Sequence, residues 1–315
     1  MRVCGFTMGP MPFDFDAAVQ APFRMQPGLR RLAPGAVQLT PLAPGAPHQR
    51  AKLAVLAAHA DQALCRDPQF DAAPALEALC RHAAAEHPSA WRWQGPAARA
   101  LLLDLAVAEG RVQAGPAAPD ELVACLEALP ADWRLAGLLS LAFAEDFAVL
   151  DARDTCVPWL AVALPSHWAP EDKVGRPFAA VHAPVADNAL LLRAAPALAR
   201  LVSGEERWER FVWTVSAHGR LDAHPKRLPP QRWSGVDVAD AWWRSERQTF
   251  IPVPQVRQAV FTILAEVRPL AQAIDTPARA AQLHAAVASM SPAVLDYRGL
   301  TPVREPLLDW LAARC

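Results

Sequence analysis

The chain has 315 residues, 53% of them hydrophobic, and its 31 basic and 32 acidic side chains leave a formal net charge of −1. That length can bury a large core, as one extended domain or two, and no excess of positive charge exists to displace the counterions of a nucleic acid. No run of roughly eighteen apolar residues occurs, so neither a transmembrane helix nor a membrane partner is expected.

The start, MRVCGFTMGPMPFD, lacks a charged region followed by an apolar one and does not read as a signal peptide. Residues 1–48 are rich in proline and glycine and read as an extended arm, with turns at Gly9-Pro10, Pro34-Gly35 and Pro44-Gly45. Helical spacing of Leu53, Leu56, Ala60 and Leu64 predicts a helix over 49–66. Further helices are predicted over 74–86, 97–109 and 119–129, the last opening on Pro119-Asp120-Glu121. This makes 49–140 a helical region.

The pattern then changes. Phe147–Leu150 and Val157–Leu164 read as strands around a turn at 151–154. A helix is expected near 188–202. Strands return at Phe211–Val215, Trp242–Phe250 and Val260–Val267, with His218-Gly219 a candidate hairpin turn. Helices over 277–290 and 304–313 close the chain. The predicted fold is α+β, with an antiparallel core at 141–270 and C-terminal helices (271–315) packed on it. Two strands, helices and then three antiparallel strands are compatible with a PAS-like core.

The densest run of special residues is Leu164 to Val185, LPSHWAPEDKVGRPFAAVHAPV. Pro170 opens a helical turn with Glu171 and Asp172 at its positive end. Gly175 interrupts it. Pro177 opens a second helix and Pro184 closes it, since a residue before proline is pushed out of the α region. His182 falls in the last turn and shares an apolar face with Phe178. That placement suits an axial haem ligand, but on spacing alone a core histidine with a satisfied hydrogen bond is the better reading. The six cysteines are widely spaced without a CxxC, so zinc-ribbon patterns are absent and reduced thiols in a cytoplasmic protein are expected. No GxGxxG, nucleophile elbow or HExxH occurs either.

Several motifs in order resemble the haem-dependent oxidative N-demethylase family, also described as DUF3445. They are Pro165-Ser166-His167-Trp168, then Lys173-Val174-Gly175-Arg176-Pro177 running into Val181-His182-Ala183-Pro184-Val185. Farther on come Trp243-Arg244-Ser245-Glu246-Arg247-Gln248-Thr249-Phe250, Phe261-Thr262-Ile263 and Tyr297-Arg298-Gly299, with Glu145-Asp146 upstream. The resemblance implies a PAS-like core that binds haem b, with His182 as iron ligand and His167 as the competing histidine. It implies dioxygen-dependent demethylation of a secondary amine, with electrons from a separate NADPH-dependent flavin and iron–sulfur reductase.

On a strand, Glu246 and Arg247 point to opposite faces. Glu246 then faces the distal pocket as the carboxylate that binds or deprotonates an amine. Arg247 is structural, or pairs with a haem propionate or another carboxylate. Arg210 and Lys173 are further cationic candidates for propionates.

The chain also departs from the family pattern. Val212 replaces an asparagine, Leu264-Ala265-Glu266 replaces an RTY-like run, and Pro252–Ala259 replaces an RLPxTGA-like stretch. A non-catalytic haem or small-ligand sensor of the same fold is the alternative function.

Overall fold

The strands, in chain order, are β1 (Arg30–Arg31), β2 (Leu64–Arg66), β3 (Trp91–Gln94), β4 (Ala97–Ala100), β5 (Leu105–Ala108), β6 (Arg111–Ala114), β7 (Asp146–Asp151), β8 (Cys156–Ala161), β9 (Trp208–Ser216), β10 (Trp242–Val253) and β11 (Gln258–Pro269). They belong to a computed structural model that describes residues 13–177, 180–181 and 185–315. With the helices between them they make the fold α+β, as the sequence predicts. The main sheet is antiparallel throughout, in the order β1-β9-β10-β11-β7-β8-β2. Its long central strands are β10 and β11, where runs of consecutive buried residues mark a sheet covered on both faces. Their register pairs Glu246 with Ala265 and Phe250 with Phe261.

The predicted helices over 49–66, 74–86, 119–129, 188–202, 277–290 and 304–313 appear as Pro47–Ala63, Ala73–Glu86, Asp120–Ala128, Ala189–Val202, Pro277–Ala288 and Arg304–Ala312. The helix expected over 97–109 does not form. Residues 91–114 instead make a second, four-stranded antiparallel sheet, β3 to β6. The alanine-rich run ARALLLDLAVA has helical composition, but Asp104, Glu109 and Gly110 all adopt positive φ. Glu109-Gly110 is the two-residue turn between β5 and β6, and two successive left-handed residues are what a tight hairpin requires. A helix at Arg134–Ala142 is not among the predicted ones, and every residue from Ala136 to Ala142 is buried. His218-Gly219 closes no hairpin: β9 and β10 do pair, from Ser216 opposite Trp242, but residues 217–241 connect them.

One face of the main sheet carries the largest apolar core. It runs from Leu39 through the helices before β7 to Phe147, Trp159 and Val260. On the same face, nearer β9, Trp213, Val215 and Trp243 pack against the C-terminal helices and against Phe15 and Val19 of the arm. The arm is held by charge as well. Glu86 accepts the backbone N–H groups of Gln38 and Leu39, both at 2.8 Å, and Glu145 accepts that of Thr40 at 2.8 Å. Lys52, fully buried on the first long helix, sits 3.1 Å from Asp146 of β7. Asp146 in turn accepts the N–H of Leu164 at 2.7 Å. The Glu145-Asp146 pair therefore ties two segments to the sheet: Glu145 the arm, Asp146 the start of the central motif. Among the described residues no helix is long and apolar enough to cross a membrane, and Cys65, Cys80, Cys125, Cys156 and Cys315 are free.

Candidate functional site

The opposite face of the main sheet carries the motif residues. Of the motif on β10, Arg244, Glu246 and Gln248 leave the strand on this face, opposite Thr214, Val212 and Arg210 of β9, while Trp243, Ser245, Arg247 and Thr249 point to the other. Toward β7 and β8 the same face is apolar. Ala148, Leu160, Val162 and Phe261 cluster with Trp168 and Val174 from the central stretch, and Phe250 stacks on Phe261 at 4.9 Å. Ala199 and Val202 of the helix Ala189–Val202 pack over Leu150, Ala152 and Ala259 beside them.

Glu246 is 7% exposed. One carboxylate oxygen accepts from the Ser166 hydroxyl and the other from Gln248 Nε2 at 2.6 Å. Arg247, the next residue, points the other way. Its guanidinium meets Glu209 at 2.9 Å and donates to the Val37 carbonyl at 2.9 Å. Of the alternatives for Arg247, the structure has the carboxylate partner, so this side chain is engaged away from the Glu246 face. Arg210, across from Gln248, has a buried Nε without a hydrogen-bond partner among the described residues. Burial pulls its pKa down, and the Glu246 charge works against that pull.

Lys173 donates to the carbonyl of Val181 at 3.0 Å, and so fastens the Pro170–Asp172 turn to the segment that leads into His182. Gly175 has φ +68°, a left-handed conformation that glycine adopts without strain, and it breaks the helical turn as expected. His182 and Phe178 lie outside the described residues.

The other histidines divide clearly. His224 is fully buried and bonded to Glu171 at 3.0 Å, while its second ring nitrogen accepts from the Lys226 N–H. It is a structural residue. Although burial disfavours the Glu171 charge, hydrogen bonds from His224 and Lys226 hold that carboxyl down to about 2. His167 and His218 form an edge-on pair with ring centres 5.7 Å apart. Burial, then Arg232 and Arg244, drive His167 down to about 3. Burial, then Arg244, Arg220 and Arg232, drive His218 to about 4. Both imidazoles are neutral at pH 7, and the buried Nε2 of His218 has no partner among the described residues.

Three residues quoted only as parts of motifs take places here. Ser166 meets Glu246. Arg244, 1% exposed, donates to Ser166 and to four backbone carbonyls. Tyr297 ends the helix Pro292–Tyr297 at the rim of the site, where the charges of Glu246 and Arg210 act on its phenol. The adjoining Arg298 lies against both Phe23 and Trp213, at 4.7 and 5.1 Å from the ring centres, and burial pushes it down to about 10. The signal that could have singled out Tyr297 is its rarity, as the chain has one tyrosine.

Residues 48–308 match the family described as haem-dependent oxidative N-demethylase, alpha subunit-like. The chain belongs to this family. The match covers the second sheet, the main sheet from β2 to β11, and the final helix as far as Leu308. The family's name indicates haem dependence and an alpha subunit, which implies a partner subunit. The described residues of the site fit a haem. Its macrocycle needs an apolar face, and on this side the half-buried rings of Phe250 and Phe261 are apolar. Its propionates need cations, and the Nε of Arg210 is buried without a partner among the described residues.

Proposed function

We propose that this chain is the haem-binding subunit of an oxygen-dependent N-demethylase that acts on a secondary amine held by Glu246. The observation that carries the proposal is the Glu246 carboxylate. It is nearly buried, is braced by neutral donors at both oxygens, and lies on the same sheet face as Phe250, Phe261 and Arg210, whose buried Nε has no partner among the described residues. An ionised carboxylate has about four acceptor positions, so two neutral donors leave room for the N–H groups of a secondary ammonium. Such a carboxylate attracts the ammonium form and then takes its proton, which frees the nitrogen lone pair for oxidation at the methyl group.

Haem b, when bound, supplies dioxygen activation at its iron. His182 is the proposed axial ligand, with His167 its competitor. Lys173 steadies the residue before His182 through the Val181 carbonyl, and Arg210 is proposed for a propionate. One dioxygen, two electrons and two protons convert the N-methyl amine to the amine, formaldehyde and water. The electrons are proposed to come from a separate NADPH-dependent flavin and iron–sulfur reductase, in keeping with the alpha-subunit character of the family. The strand order supports a PAS-like core: β7 and β8, a helical crossing, then β9, β10 and β11 with β11 back beside β7. Free thiols favour a cytoplasmic location.

A second reading rests on one specific observation. The residue opposite Glu246 on β9 is Val212, where the family pattern has asparagine. A polar neighbour of the carboxylate is thus replaced by an apolar one, which favours a haem or ligand sensor without turnover.

The test is an absorption spectrum of the chain supplied with haem, beside His182→Ala, followed by amine-dependent electron consumption and formaldehyde release. A Soret band lost in the variant and formaldehyde formed in proportion to amine support the demethylase. A band without turnover, with a competent reductase present, supports the sensor. The absence of any band removes the demethylase and the haem sensor.

A further inference from the structure

We infer that Ser166 is the positioning residue of the site, the middle of a relay from Arg244 to Glu246 that keeps the carboxylate open to a cationic substrate. This rests on the reading of Glu246 as the amine-binding group. Arg244 stands two residues before Glu246 on β10, so both side chains leave the strand on one face. Its guanidinium is spent on fixed acceptors: the carbonyls of Arg220 at 3.0 Å, Leu221 at 2.9 Å, and Leu164 and Pro165 at 3.2 Å each. Its Nε meets Ser166 Oγ at 2.6 Å.

A guanidinium has donors only, so Arg244 must give this hydrogen bond and the serine oxygen must accept it. The hydroxyl has one proton of its own, and the acceptor it meets is Glu246. The relay therefore has a fixed direction, from Arg244 through Ser166 to Glu246.

The serine cannot easily turn away. Its backbone is bridged to Ala223, with Ala223 N–H donating to Pro165 at 3.1 Å and His167 N–H donating to Ala223 at 3.0 Å. Gln248 holds the other carboxylate oxygen, so the plane of Glu246 is set from both ends.

The hydroxyl also acts as a spacer. Arginine and carboxylate groups pair strongly and in parallel when they meet directly. With Ser166 between them, Arg244 orients Glu246 without occupying it. Without the hydroxyl, the buried Nε of Arg244 loses its acceptor, and Glu246 is the carboxylate beside it. A direct ion pair then competes with the substrate ammonium for the same oxygens.

The test uses the full chain supplied with haem, as Ser166→Ala and Ser166→Thr, with Glu246→Gln to identify the Glu246 carboxylate band. Dimethylammonium binding is measured by calorimetry, and the carboxylate stretch by difference infrared spectroscopy without amine. Ser166→Ala is expected to weaken binding about tenfold, the scale of one hydrogen bond to a charged group, and to shift the Glu246 band. Ser166→Thr, which keeps the hydroxyl, restores both. If Ser166→Ala does not fold, Ser166→Cys takes its place, since a thiol is a weak donor. Wild-type affinity with an unmoved band in the variant overturns the inference, and so does a threonine variant that behaves like alanine. If the wild type binds no dimethylammonium, the amine reading fails on its own, and the infrared band decides the relay: shifted in the alanine variant it stands, unmoved it falls.

Discussion

The charge of Glu246 acts on the phenol of Tyr297. Tyr297 is the chain's single tyrosine. Burial raises the pKa of its phenol, Arg298 and Arg210 lower it, and the Glu246 charge raises it. Glu246→Gln removes one of the upward pushes, so the phenolate midpoint should move down. Near-ultraviolet absorbance reads this directly, because no other tyrosine titrates. An unchanged midpoint would separate Tyr297 from the site. His167 and His218 give a second prediction. Their folded-state values, about 3 and about 4, lie below the ordinary imidazole value of 6.5. The unfolded chain therefore binds more protons in that window, and stability falls as pH drops from about 6.5 toward 4. Each group costs at most about 1.4 kcal/mol per pH unit there. His167 sits at φ +64°, where asparagine is also at ease. A His167→Asn, His218→Asn double variant should thus keep its neutral-pH stability and lose part of the acid sensitivity in urea titrations between pH 7 and 4.

At the level of elements, the central motif is fastened to the sheet by Asp146. This aspartate joins Lys52 of the Pro47–Ala63 helix to the backbone of Leu164. Lys52 is itself bonded to the carbonyls of Phe143 at 3.1 Å and Glu145 at 2.5 Å. Removing one partner of a buried ion pair leaves the other charge uncompensated and costs about 3–5 kcal/mol. Lys52→Met should lower the unfolding free energy by that order in denaturant titrations. Adding Asp146→Asn should recover part of it, since an amide oxygen still accepts from Leu164 and carries no charge. Full recovery is not expected, because the lysine's bonds to two carbonyls are also gone.

On the scale of the whole molecule, the N-terminal arm is a strap. It places Phe15 and Val19 in the C-terminal cluster and Leu39 in the main core, and buries Leu42 against Ala144 and Leu264. Trp213 Nε1 donates to the carbonyl of Ala18 at 2.9 Å. Each of the four buried side chains contributes about 1.5–3 kcal/mol, which together rivals the entire stability of a typical domain, about 5–15 kcal/mol. A chain beginning at residue 43 should therefore fail to give a cooperative melting transition. A chain beginning at residue 13 keeps all four and should melt cooperatively.

Local signals in the sequence settled most of the elements. Proline and acidic helix starts, period-two strands such as Trp242–Phe250 and the alternation of Glu246 with Arg247 depend on neighbours a few residues away, and the structure has them where the pattern lies. The motif order was enough for the family. Local pattern failed where burial or turn conformation overrode it. Residues 97–109 have helical composition but are folded by left-handed turns at Asp104 and Glu109-Gly110. The helix Arg134–Ala142 is buried from Ala136 onward and is not among the helices read from the sequence. The site needed the tertiary structure most. Ser166 and Glu246 are 80 residues apart in the chain, and Arg247 meets Glu209 across 38. Strand register, fixed by long-range pairing, decides which side chains meet, and no spacing within the sequence encodes it.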